Sequence, residues 1–85
     1  MAPQFAYVLT YSHEDGDIIT LHATEPSARK GAAAIARSFW AEIAAVCDEM
    51  PPTPGGLTDS QVTAMYFRNR THERYDIERQ LILSL

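Results

Sequence analysis

A length of 85 residues with 7 basic against 11 acidic side chains, net charge −4, fits one small domain and argues against a nucleic-acid binder, which ordinarily carries a basic patch. Hydrophobic residues make up 46% against 21% charged, too apolar for an intrinsically disordered chain. The single cysteine, Cys47, excludes an internal disulfide, and no apolar run approaches the roughly 18 residues of a membrane span.

Gln4 to Tyr11 alternates as a half-buried strand does, with Phe5, Tyr7, Leu9 and Tyr11 on the expected core face and Ala6, Val8 and Thr10 on the other. Within Ser12 to Asp17 the pair Asp15-Gly16 signals a hairpin. Ile18 to Ala23 returns as the second strand. Its apolar alternation predicts Ile19, Leu21 and Ala23 in the core, with Thr20 and His22 outside.

Thr24 to Met50 then reads as one long helix. Thr24 suits the N-cap, Glu25 and Pro26 suit a first turn, and Pro51-Pro52 ends the run. Ile35, Phe39, Ile43, Val46 and Met50 recur at spacings of three and four and define its expected core face. The first half is small-sided, with Ala28, Gly31, Ala32, Ala33, Ala34 and Ala36. A mid-helix glycine costs roughly 0.5–1 kcal/mol against alanine, so Gly31 is expected to mark a close approach to the sheet.

Pro51 to Leu57 forms a loop. Thr58 and Gln61 have capping-box spacing and start a short helix over Asp59–Arg68, with Val62, Met65 and Tyr66 inward. After a turn at Thr71–Arg74, a last strand runs from Arg74 to Leu83. Tyr75, Ile77, Arg79, Leu81 and Leu83 share one side of it; Asp76, Glu78, Gln80 and Ile82 share the other. Arg79 interrupts the apolar side, so it is expected at the sheet edge or beside an acid. The whole reads as a single α+β domain over residues 1–85: a three-stranded antiparallel sheet packed against one long and one short helix, in the order ββααβ.

Chemistry-bearing clusters are few. His13, Glu14, Asp15 and Asp17 at the hairpin tip read as a metal site or as a solvated turn. Cys47 with His13, His22 or His72 reads as a nucleophile with its base or as a small buried hydrophobe. There is no glycine-rich phosphate loop, paired zinc-ligand motif or serine elbow, so no enzyme, cofactor or metal is expected. Asp76 and Glu78, two residues apart on one strand face, stand about 6.6 Å from each other. That compares with the spacing of successive phosphates, so nucleic-acid mimicry stands beside an ordinary solvated face. Trp40 and Phe39 point about 100° apart on a helix, which makes both core or leaves one toward the edge. Trp is also the residue most enriched at binding hot spots. The expected partner-binding set is therefore Glu14, Asp15, Asp76, Glu78 and Trp40, and the open sheet face and edges also allow a homodimer.

In size, acidity, a composition rich in alanine and arginine (six arginines, with Lys30 as the other base) and want of a catalytic motif, the chain resembles small bacteriophage and mobile-element proteins of the anti-CRISPR type. The resemblance is one of type and extends over the whole chain. It implies a stoichiometric inhibitor in the bacterial host cytoplasm that occupies the nucleic-acid or nuclease-recruiting surface of a CRISPR effector complex, without binding nucleic acid or membrane itself. Met1-Ala2-Pro3-Gln4 also lacks the basic and then apolar run of a signal peptide, so a cytoplasmic protein is expected. The alternatives are a small bacterial homodimeric regulatory or structural protein, and a small metal- or thiol-dependent enzyme.

Overall fold

The computed structural model describes residues 4–82. Strand β1 (Gln4–His13) lies at the centre of the sheet, flanked antiparallel by β2 (Gly16–His22) and β3 (Arg74–Ile82), in the order β2-β1-β3. At the centre, Leu9 and Tyr11 on the inner side of β1 are buried. Two residues, Glu14 and Asp15, make the hairpin turn, and Gly16 takes the positive φ of 127° that closes it. The Asp15 N–H donates to His13 Nδ1 at 3.2 Å, so His13 braces the turn.

That short connection decides which side of β2 is inside. It sets odd-numbered residues of β1 opposite even-numbered residues of β2: Tyr11 faces Ile18, Leu9 faces Thr20 and Tyr7 faces His22. With Leu9 and Tyr11 inward, Ile19 and Leu21 must point outward, where they are 62% and 72% exposed. The expectation that Ile19, Leu21 and Ala23 enter the core is thus overturned by register; Ala23 is exposed as well. His22, expected outside, lies on the inner side with its ring between the hydroxyls of Thr20 and Ser27, at 2.8 and 3.0 Å.

The expected single helix divides. α1 spans Glu25–Ser38 and α2 spans Trp40–Ala44, with Phe39 between them at φ −108°, ψ 7°. Thr24 caps α1 by accepting from the Ser27 N–H. At the far end Ser38 Oγ donates to the Ala34 carbonyl at 2.8 Å, a back-bond that bends helices. Trp40 keeps to the buried side beyond the break, four residues from Ala36 and seven from Ala33, and is 1% exposed.

The inner face of α1 is therefore the alanine stripe Ala28, Ala32, Ala33 and Ala36, not Ile35, Phe39, Ile43, Val46 and Met50. Of that expected face Met50 is buried and Ile43 is half-buried against the core, while Phe39 is 41% and Val46 79% exposed. Close approach explains the choice. A Cβ on Gly31 would stand 2.9 Å from Leu9 Cδ2 and 3.2 Å from His22 Cε1, so the glycine sits directly against the sheet as its position suggested.

α3 (Asp59–Asn69) begins at the Thr58–Gln61 capping box, with both reciprocal hydrogen bonds formed, and buries Val62 and Tyr66. These join Ala36, Trp40 and Met50 in the core, with Met65 packed beside them. Trp40 Nε1–H donates to the Pro51 carbonyl at 2.8 Å, which folds the proline-rich loop back over the indole. On β3, Tyr75, Ile77, Arg79 and Leu81 stand opposite Tyr11, Leu9, Tyr7 and Phe5 on the inner side; Leu83 lies outside the described residues. Arg79 lies on the edge strand, as expected, and rests its guanidinium 4.5 Å from the centre of the Phe5 ring, a cation–π contact.

Candidate interaction surface

With the helices on the inner side, the outer face of the sheet is open. Its register forms two parallel rows: Leu21, Val8 and Glu78 in one, Ile19, Thr10 and Asp76 in the next. Each row runs from an exposed aliphatic on β2 to an exposed carboxylate on β3, across two strand spacings of about 4.8 Å. Asp76 and Glu78 are thus brought together with an apolar strip that the sequence reading had placed inside. Arg74 stands in the adjoining row, opposite Ser12, which in turn faces Asp17.

Glu14 and Asp15 are exposed at the hairpin tip, beyond that row, so the four acidic candidates form two groups rather than one patch. Trp40 is not among them. At 1% exposure it cannot touch a partner, and the aromatic reaching solvent beside it is Phe39. The reason is that Trp40 continues the buried side of α1, four residues from Ala36 and seven from Ala33.

One cluster went unread in the sequence. Glu73, in the turn between α3 and β3, is 7% exposed and accepts hydrogen bonds from the Tyr66 hydroxyl at 2.8 Å and from the Tyr11 hydroxyl. Arg70 Nε lies 2.7 Å from Glu73 Oε2, yet its N–H is not directed at that oxygen, so the two form an ion pair without a hydrogen bond. The same guanidinium donates to Glu42 on α2 at 3.1 Å. Burial pushes the Glu73 carboxyl up, but the two tyrosine hydroxyls, then Arg70 and His72, outweigh it and hold the group below the usual glutamate range. Burial first, and then Glu73, pushes Tyr11 up to about 12, and Tyr66 is raised by the same causes. The arrangement keeps Glu73 charged and both tyrosines neutral, which pins β1, α2 and α3 to the start of β3. The Arg70 to Glu73 spacing was the one local hint; the tyrosines are 62 and 7 residues from Glu73.

Cys47 is half-buried against the core, and its thiol donates to Asn69 Oδ1 at 3.4 Å. The histidines are engaged elsewhere, His13 with Asp15, His22 with Thr20 and Ser27, and His72 at 3.8 Å from Glu73, so the nucleophile-and-base pairing is not formed. Among the described residues no three of His, Cys, Asp and Glu converge on a metal-sized site, and no helix is long and apolar enough to cross a membrane. A cleft of about 360 Å³ opens between the N-terminal halves of α1 and α3, with Lys30, Ser60 and Tyr75 in its lining.

Fold and surface together define a small α+β protein whose three-stranded antiparallel sheet is covered by helices on one face and open on the other. Comparison of the chain with protein-family models, with curated proteins and with solved structures finds no match.

Proposed function

We propose that this chain is a non-enzymatic protein-binding module that lays the outer face of its sheet on a partner presenting basic and apolar groups. The partner is a CRISPR effector complex, as the anti-CRISPR resemblance implies. The observation that supports this most is the pair of rows Leu21–Val8–Glu78 and Ile19–Thr10–Asp76, in which exposed aliphatics and carboxylates share one uncovered face. Such a combination suits an interface: the aliphatics supply burial, and the carboxylates steer toward a basic groove that otherwise holds nucleic acid. Glu14 and Asp15 extend the negative field at the hairpin tip.

The test is calorimetric titration of purified CRISPR effector complexes with the wild-type chain and with the double variant Asp76→Lys, Glu78→Lys. Binding should weaken at least tenfold in the variant, while its melting temperature stays close to wild type because exposed substitutions cost within about 0.5 kcal/mol. Wild-type affinity should fall as salt rises. Full affinity in the reversed variant would remove the acidic rows from the interface, and absence of wild-type binding to any effector would remove the CRISPR assignment.

A further inference from the structure

We propose that the free edge of β2 pairs antiparallel with β2 of a second copy of this chain, about a two-fold axis at Thr20, joining two three-stranded sheets into one of six strands. This goes beyond the binding reading above and uses the opposite edge of the sheet from Asp76 and Glu78.

The two edges differ. Edge strands are normally guarded by charges, prolines or bulges, because their unpaired N–H and C=O groups template further pairing. β3 is guarded: Arg74, Asp76, Glu78 and Arg79 are spread along it. β2 has no proline, its register with β1 is unbroken from His13–Gly16 to Tyr7–His22, and from Ile18 to Leu21 it has no charged side chain. Its outer face is apolar and uncovered, with Ile19 and Leu21 exposed by 62% and 72%, and on the inner face Ile18 is 52% exposed while His22 lies half-buried against α1.

Charge selects a second copy as the occupant. A two-fold axis normal to the sheet carries each face onto itself, so it opposes residues of the same face. Centred on Thr20, it sets Ile19 of each copy against Leu21 of the other, which gathers four aliphatic side chains on the outer face, and it sets Ile18 against His22 on the inner face. No acid meets an acid. On β3 a centre at Ile77 sets Asp76 against Glu78, and centres at Glu78 and Arg79 set each against itself, and directly opposed like charges destabilise a sheet; a centre at Gln80 sets Glu78 against Ile82 and Arg79 against Leu81, and one at Tyr75 overlaps only three residues. β2 is thus the edge that meets itself through aliphatic side chains. A seven-residue edge is about 23 Å long and offers a small interface beside the roughly 800 Å² per partner of a standard stable complex, so the dimer is reversible and depends on concentration.

Sedimentation velocity of the full chain from about 1 µM to about 1 mM, bracketing weak to moderate affinities, tests the pairing. The wild-type chain should pass from monomer to dimer across that range. Ile19→Lys and Leu21→Glu, at exposed positions, should each remain monomeric throughout with unchanged circular dichroism. Because position 19 of one copy faces position 21 of the other, an equimolar mixture of the two variants should dimerise again. Asp76→Lys with Glu78→Lys should leave dimerisation intact, which separates this result from the fate of the binding reading. A wild-type chain monomeric at the highest concentration would overturn the proposal, and binding of an extended peptide in that case would assign the edge to a foreign strand. A dimer that survives both single variants, or a mixture that stays monomeric, would overturn the Thr20-centred pairing.

Discussion

Trp40 and Glu73 carry single-residue effects of different kinds. The indole is enclosed by Ala36, Met50, Val62 and Tyr66 and bonded to the Pro51 carbonyl. Trp40→Ala should therefore cost about 3–5 kcal/mol, a large share of a small domain's stability, read as a lowered urea midpoint. Trp40→Phe keeps most of the packing but leaves the Pro51 carbonyl without its donor, and should cost about 1–3 kcal/mol. Phe39→Ala, removing the exposed neighbour, should cost less than either. At Glu73 the loss is electrostatic. Glu73→Ala strips two tyrosine hydroxyls of their acceptor and Arg70 of one of its two carboxylates, and breaking such a buried pair costs about 3–5 kcal/mol. Glu73→Gln keeps an acceptor oxygen and should fall between that variant and wild type in the same denaturation series.

At the scale of elements, the contact between α1 and the sheet is set by side chains that are small or missing. Gly31→Ala would improve helix propensity by roughly 0.5–1 kcal/mol, but the added methyl would press on Leu9, whose side chain is itself enclosed at 2% exposure. Overpacking of that kind costs about 1–3 kcal/mol, so the variant should melt below wild type; a higher melting temperature would mean that Leu9 yields freely. The elements themselves were legible in the chain: the strand alternation, the Thr58–Gln61 capping box and the acidic face of β3 all read correctly from local pattern. Faces set by longer-range geometry were not. Apolar alternation placed Ile19 and Leu21 inside, whereas a two-residue turn after a strand with Leu9 and Tyr11 inward places them outside. The bulky residues of the long helix outweighed its alanines in the periodic reading, although close packing favours the alanines. Glu73 was illegible because its partners come from β1 and α3.

For the whole molecule, charge is divided between the two sides of the sheet. The outer side carries exposed carboxylates whose effect falls with salt, while the inner side holds Glu73, Tyr11, Tyr66 and Arg70 together, and this buried group links folding to pH. Glu73 is held below its ordinary pKa in the folded chain, so its stabilisation is complete above the unfolded value near 4.5 and is lost as pH falls through the lower folded value. Tyr11 runs the other way: raised from 10.0 to about 12, it contributes fully below pH 10 and its contribution is lost as pH rises through about 12. Stability from this cluster should therefore be level between about pH 5 and pH 10 and fall on both sides. Urea midpoints measured across pH should show an acid limb that becomes shallower in Glu73→Gln while the alkaline limb, still set in part by burial of the tyrosines, persists. In Tyr11→Phe the alkaline limb should weaken, and the acid limb should weaken with it, because the Glu73 carboxylate then loses one of the two hydroxyls that hold its pKa down. Acid limbs of equal steepness in wild type and Glu73→Gln would show that other carboxylates, and not this buried one, govern acid unfolding.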